Sequence, residues 1–270
     1  MTTYKRKPTR KPTTKKAFVK KAVAKAKTKR LATFVKKVIA KTEEVKFASY
    51  TGIVGVSAYT NTTNRQNNII PLTPYAVTGI TIPQGTGQND RIGNRIRTKS
   101  VWLRGIIYPR PYGANNSNPT PQEVRVWFFS PKATTFQPTT LPGFFQGANN
   151  NSAAPGGTIL DLTQIINNDA YIYRGHRTFK IGLSNMNAQA GVPSTVMGFT
   201  NNDFKFNARF NINLTKMIPK IIKYNDTDNT PFSTSVFMYW ETVDADGSSQ
   251  ATDQAPIELS YSTTFRYTDV

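Results

Sequence analysis

Two hydrophobic periods divide this chain. Across residues 15–40 the apolar positions Phe18, Val19, Ala22, Val23, Ala26, Leu31, Phe34, Val35, Val38 and Ile39 recur every three or four residues, with lysines filling the gaps. That spacing marks one face of a helix, and Ala and Lys are good helix formers. Beyond about residue 47 the period falls to two. The cleanest case is residues 204–214, where Phe204, Phe206, Ala208, Phe210, Ile212 and Leu214 alternate with Lys205, Asn207, Arg209, Asn211 and Asn213. Such alternation predicts a strand with one buried face and one wet face.

Strands are also predicted over residues 48–59, 101–108, 123–129, 171–181, 233–243 and 257–267. Residues 69–82 make a weaker candidate, broken by Pro71 and Pro74. Val236, Met238 and Trp240 share a face of one segment, and Ile257, Leu259, Tyr261, Thr263, Phe265 and Tyr267 share a face of another. Asn-, Pro-, Gly-, Ser- and Thr-rich loops fill 109–121, 134–157 and 185–202, and residues 161–167 read as one short helical turn with Asp161 as its N-cap. Seven or eight strands with little helix predict an all-β body over residues 47–270, an antiparallel two-sheet sandwich or jelly roll. Phe136, Phe144 and Phe145 stand in polar loop sequence, where they either present contact surfaces or pack back onto their own sandwich.

Charge separates the two regions further. The 270 residues carry 35 Lys/Arg against 15 Asp/Glu, a formal charge of +20. Residues 1–46 hold 17 of the cations and only two acids, Glu43 and Glu44, so +15 falls on about a sixth of the chain. A block of this kind repels itself in water and pairs with polyanions, its affinity falling steeply with salt. Its first part, with Lys5, Arg6, Lys7, Arg10 and Lys11 around Pro8 and Pro12, cannot form a helix and has the composition of a nuclear localisation signal. The amphipathic part, with Lys15, Lys16, Lys20, Lys21, Lys25, Lys27, Lys29, Arg30, Lys36 and Lys37, is frayed by lysine repulsion until phosphate or an anionic membrane relieves it. Few aromatics lie among these cations, which predicts sequence-tolerant electrostatic binding of nucleic acid. The bland alternative is a solvated tail. A second cationic patch, Arg91, Arg95, Arg97 and Lys99, leads toward Arg104 and is read either as nucleic-acid contact or as arginines capping carbonyls.

Reaction chemistry is not legible. With no cysteine there is no disulfide framework, thiolate nucleophile or Cys-bound metal, and the single histidine, His176, lies in a predicted strand. Asp226/Asp228 and Asp244/Asp246 read as turns, the calcium-loop pattern failing after four residues. Gly85-Thr86-Gly87 with Gly93 lacks the strand–helix context and the G-K-[ST] of a phosphate loop. No catalytic residue, metal or cofactor is therefore predicted, and no enzymatic role. The chain also shows no apolar run of membrane-spanning length and no apolar core of a secretory leader.

The order of features resembles the capsid proteins of small circular, Rep-encoding single-stranded DNA viruses, the circovirus-like group. A Lys/Arg-rich N-terminus is followed by IPQGTGQNDRIGNRIRTKSVWLRGII at residues 82–107, then by alternating strands to a Tyr/Phe-rich C-terminal strand. The motif-like element is Arg91-Ile92-Gly93-Asn94-Arg95-Ile96. The resemblance implies an eight-stranded antiparallel jelly roll with a basic, disordered-to-helical arm. It further implies self-assembly into a T=1 icosahedral shell, an inward arm on the packaged DNA, and location in the virion and the host nucleus. This arm departs from the family in favouring lysine over arginine, so it lacks the bidentate fork and leaves room for membrane contact by residues 15–40. Two other classes compete: a non-viral nucleic-acid-binding β-domain with a basic tail and no shell, and a membrane-active or lectin-like protein.

Overall fold

A computed structural model of the chain describes residues 27–34, 44–58, 68–75, 79–111, 120–133, 138, 140–147, 151–182, 205–225, 228–233, 235–245, 247 and 255–270. Contacts divide the chain into two compact units, Met1–Glu44 and Val45–Val270, so the body begins two residues ahead of the boundary read from sequence. In the first unit residues 27–34 form about two turns of α-helix with every residue exposed, Leu31 and Phe34 included. The remainder of the amphipathic stretch lies outside the described residues.

The second unit is all-β, with antiparallel sheets packed as a sandwich. One sheet runs in the order β1 (Lys46–Val56), β11 (Ile257–Asp269), β3 (Arg95–Pro109) and β8 (Ala208–Asn213), and β9 (Ile221–Lys223) pairs with the start of β3. The other runs β2 (Ile69–Pro71), β10 (Phe237–Asp244), β4 (Gln122–Pro131) and β7 (Tyr171–Ile181). Their facing sides supply one core, with Val101, Leu103, Ile107, Leu259 and Phe265 on one side and Val124, Val126, Phe128, Met238 and Trp240 on the other. Phe179 and Phe210 bracket Trp240 at ring distances of 6.0 and 5.7 Å, closing one end of the sandwich. Gly105 is fixed by this packing, since a Cβ there would stand 2.5 Å from both Phe210 Cζ and the Ser260 carbonyl oxygen.

Packing overturns one expectation and decides between two alternatives for another. Phe206 is 60% exposed and β8 begins only at Ala208, although the alternation ran unbroken from Phe204. The chain at Lys205 instead bridges to Ile181 on the other sheet, and that switch takes Phe206 off the core face. Phe144 and Phe145 do not present a contact surface. With Leu141, Leu162, Ile166 and Tyr171 they bury the outer face of the second sheet, against Trp127, Phe129, Phe237 and Tyr239. Phe144 lies 5.2 Å from Phe129 and 6.1 Å from Trp127 in edge-on geometry, the arrangement that aromatic quadrupoles favour. Phe136 lies outside the described residues. This covering layer, with its short strands β5 (Phe145–Gln146) and β6 (Ser152–Ala153), explains why β10 is buried on both faces.

The helical turn also begins earlier than predicted. It is a 3-10 turn, Ile159–Leu162, with Thr158 at its N-cap, and Asp161 is its third residue. The Asp161 carboxylate is buried and accepts the backbone N–H groups of Gly156 (2.8 Å) and Gly157 (2.6 Å), which curl over it because Gly157 adopts φ 72°.

Candidate nucleic-acid interface

Because its own loop covers the second sheet, the outer face of the five-stranded sheet is the broad surface left uncovered among the described residues. Strand alternation decides what that face carries. β3 sends Ile96, Thr98, Val101, Leu103 and Ile107 inward, leaving Arg95, Arg97, Trp102, Arg104 and Ile106 outward. Lys99 sits where the β3–β11 register slips by one residue, between the pairs Thr98–Tyr267 and Ser100–Arg266. β11 presents Ser260, Ser262, Thr264 and Arg266, β8 presents Arg209, Asn211 and Asn213, and β9 presents Lys223. Seven cations thus share one face.

Few carboxylates share these strands. The five strands contain only Glu258 and Asp269. Glu258 accepts the Tyr108 hydroxyl and the Arg110 Nε at 3.3 Å; its hydrogen bond holds the Tyr108 phenol above its ordinary pKa, with burial adding to the shift. Asp269 pairs with Lys46 Nζ at 2.7 Å. Arg95 and Lys223 occupy directly opposed positions on β3 and β9, and both are exposed. Like charges so placed destabilise a sheet unless an anion sits between them. Arg104 donates through Nε to Asn211 Oδ1 at 3.4 Å and lies 5.8 Å from the Trp102 ring centre, a cation beside a half-buried aromatic plane. The arrangement offers charge for phosphates, hydroxyls and amides for polar contacts, and one ring for stacking.

Arg91 does not belong to this face. It is fully buried, and its guanidinium donates to the carbonyls of Gly93 (2.9 Å) and Asp228 (2.7 Å) and to Asn94 Oδ1 (3.4 Å). It also stacks 4.3 Å from the centre of the Tyr224 ring, whose phenol is pushed well up by burial, against the lowering by Arg91. The expectation of nucleic-acid contact fails for this residue, and the carbonyl-capping alternative holds. The motif-like stretch is a clasp joining both ends of the body. Lys46 donates to the Asp90 carbonyl, Tyr267 Oη to the Asn89 carbonyl at 2.5 Å, and Ile92 N–H to Asp269 Oδ1 at 3.3 Å.

The remaining predicted residues divide simply. Lys27, Lys29 and Arg30 are exposed on the short helix of the first unit. Lys5, Arg6, Lys7, Arg10, Lys11, Lys15, Lys16, Lys20, Lys21, Lys25, Lys36 and Lys37 lie outside the described residues, as do Asp226 and Asp246. Sequence reading missed Arg209, Lys223 and Arg266, which are scattered singly along the chain and meet only through strand pairing. The alternation in residues 204–214 was the one signal placing Arg209 on a wet face.

His176 lies on β7, on an exposed stretch of the strand. Its Nδ1 lies 2.5 Å from Tyr173 Oη, and burial, with Arg125 and Arg177 nearby, lowers its pKa below the ordinary value. Asp228 accepts from Asn225 Nδ2 (3.1 Å), and Asp244 accepts from Thr120 Oγ1 (2.9 Å) and Gln122 Nε2, so both serve local structure. Among the described residues no three His, Cys, Asp or Glu side chains converge on a common point. Neither a family model nor a curated protein matches the sequence, so the reading of this surface rests on its own geometry.

Proposed function

We propose that the protein is a viral coat protein that assembles into a small icosahedral shell, T=1, and binds a packaged single-stranded genome, DNA by the resemblance drawn from the sequence. The observation that carries the reading is the cationic sheet face, uncovered among the described residues, on a body that also bears a +15 arm. Strand pairing supports a jelly roll. Of the eight principal strands, the first pairs with the last (β1·β11), the second with the seventh (β2·β10), the third with the sixth (β3·β8) and the fourth with the fifth (β4·β7). A ribbon of four nested antiparallel pairs wound into two sheets has this order. Fold alone does not fix function, and the charge distribution supplies the rest. The cluster from Lys5 to Lys11 would direct nuclear entry, and residues 15–40 would engage the genome or an anionic membrane.

Negative-stain microscopy of the full chain beside a form lacking residues 1–44 tests the reading. The deletion stops at 44 because Lys46 belongs to the clasp. Uniform round particles are expected, with nuclease-protected nucleic acid that is sharply reduced when the arm is absent. Monomers or dimers at every salt and protein concentration would overturn the shell and leave a nucleic-acid-binding β-domain.

A further inference from the structure

Along the cationic face the central strand carries short side chains while its neighbours carry tall ones. Ile53, Ser260 and Ile106 lie in register across β1, β11 and β3, and Thr51, Ser262 and Arg104 form the next row. The result is a shallow, open trough of about 700 Å3, with Ser260 and Ser262 along its floor, Ile53 and Ile106 on its two sides, and Arg104 among its lining residues. Ile53 is 69% exposed, a cost in water that a ligand between the two isoleucines would remove. The flanking strands stand two spacings apart, about 9.6 Å. A flat ring in van der Waals contact on both faces needs about 7.6 Å between wall carbons, so one ring fits and two stacked rings do not.

We infer that this trough is a slot for a single unpaired nucleobase, the inference resting on the nucleic-acid reading above. Ile53 and Ile106 sandwich the base. The Ser260 and Ser262 hydroxyls, each able to donate and to accept, meet its polar edge without selecting one base strongly. Arg104 and, on β8, Arg209 opposite Ile106 take the flanking phosphates. Charge chooses the occupant: an acidic peptide would satisfy the arginines but would place no flat apolar ring between the isoleucines. A base paired and stacked in a duplex cannot enter, so the slot selects single strands.

The test is fluorescence anisotropy of the full chain with a labelled twelve-residue oligothymidylate and with an abasic strand of equal length and phosphate count. The base-bearing strand is expected to bind about tenfold tighter, the scale of burying one ring face on each side. Ser260→Ile fills the floor at a half-exposed strand position. It should bring the ratio to about one, and an unchanged urea unfolding midpoint of the variant reports an intact fold. Equal affinity of wild type for both strands, or a preference that survives Ser260→Ile, overturns the slot alone. Failure of both strands to bind at low salt overturns the nucleic-acid reading and the slot with it.

Discussion

Arg91 offers the sharpest separation between a structural and a binding cation. Truncation by Arg91→Ala strips the carbonyls of Gly93 and Asp228 of a charged donor in part-buried hydrogen bonds and removes the cation over the Tyr224 ring. Each hydrogen bond to the charged donor contributes about 1.5 kcal/mol, the low end because the carbonyls are only part-buried, and a desolvated cation–π contact contributes about 2 kcal/mol. The sum, about 5 kcal/mol, is a large fraction of the 5–15 kcal/mol that usually holds a domain together. Two features temper it. Arg91 Nε is buried without a hydrogen-bond partner, and removing the whole charge relieves its desolvation, so Arg91→Met should be milder than Arg91→Ala. Urea unfolding at high salt, with nucleic acid absent, reads the difference. At a slope of about 3 kcal/mol per molar urea the midpoint should fall by about 1.5–2 M for Arg91→Ala. Arg95→Ala should stay within about 0.5 kcal/mol of wild type, since its side chain is exposed. If Arg91→Ala unfolds with an unchanged midpoint and instead loses nucleic-acid affinity, the clasp is refuted and Arg91 rejoins the binding patch.

Phe144→Ala should cost about 3–5 kcal/mol in denaturant unfolding of the unassembled protein, because the ring is fully buried among Phe129, Trp127 and Tyr171. A loss of particles with unchanged unfolding would return Phe144 to a subunit contact. His176 has a folded pKa below its unfolded value near 6.5, so the unfolded chain binds more protons as pH falls. Its contribution to stability is therefore present above about pH 6.5 and lost as pH drops toward the folded pKa. His176→Gln should flatten the unfolding midpoint in that window, and an unchanged pH profile would refute the assignment. For a form lacking residues 1–44, the seven face cations set a ceiling of about −5 on the slope of log affinity for single strands against log salt. The pair Arg95→Ala with Lys223→Ala should lower its magnitude by about 1.4; a slope near zero before mutation would exclude the face as an interface.

What the sequence made legible follows from how far each signal reaches. Period-two alternation is local, so the segments that became β1, β4, β7, β10 and β11 could be read directly. So could the breaking of β2 by Pro71. Three residues at Ile221–Lys223 are too few to show a period, and β9 was missed for that reason. The covering layer was read as loop because its strands are two residues long and its aromatics follow no spacing; only the sheet beneath makes them a cluster. The cation patch was half legible. Arg95, Arg97 and Lys99 lie close together in sequence, but nothing in DRIGNR distinguishes the buried Arg91 from the exposed Arg95. That distinction depends on Tyr224 and Asp228, more than a hundred residues away.

The charge of the body also changes meaning once it is placed. Residues 47–270 hold 18 basic against 13 acidic residues, a modest +5 that on its own would not mark a polyanion-binding domain. Seven of those cations share a face whose strands contain two carboxylates, both already bound. Potential depends on local density, so this face is strongly positive while the domain as a whole is nearly neutral. On the proposed reading that segregation couples assembly to packaging. About sixty copies would add roughly nine hundred arm charges to those of the sheet faces, and at a Debye length of about 8 Å salt alone screens them poorly. An empty shell is then disfavoured at low ionic strength, and rising salt has opposed effects: it eases assembly without nucleic acid while weakening the grip on the genome.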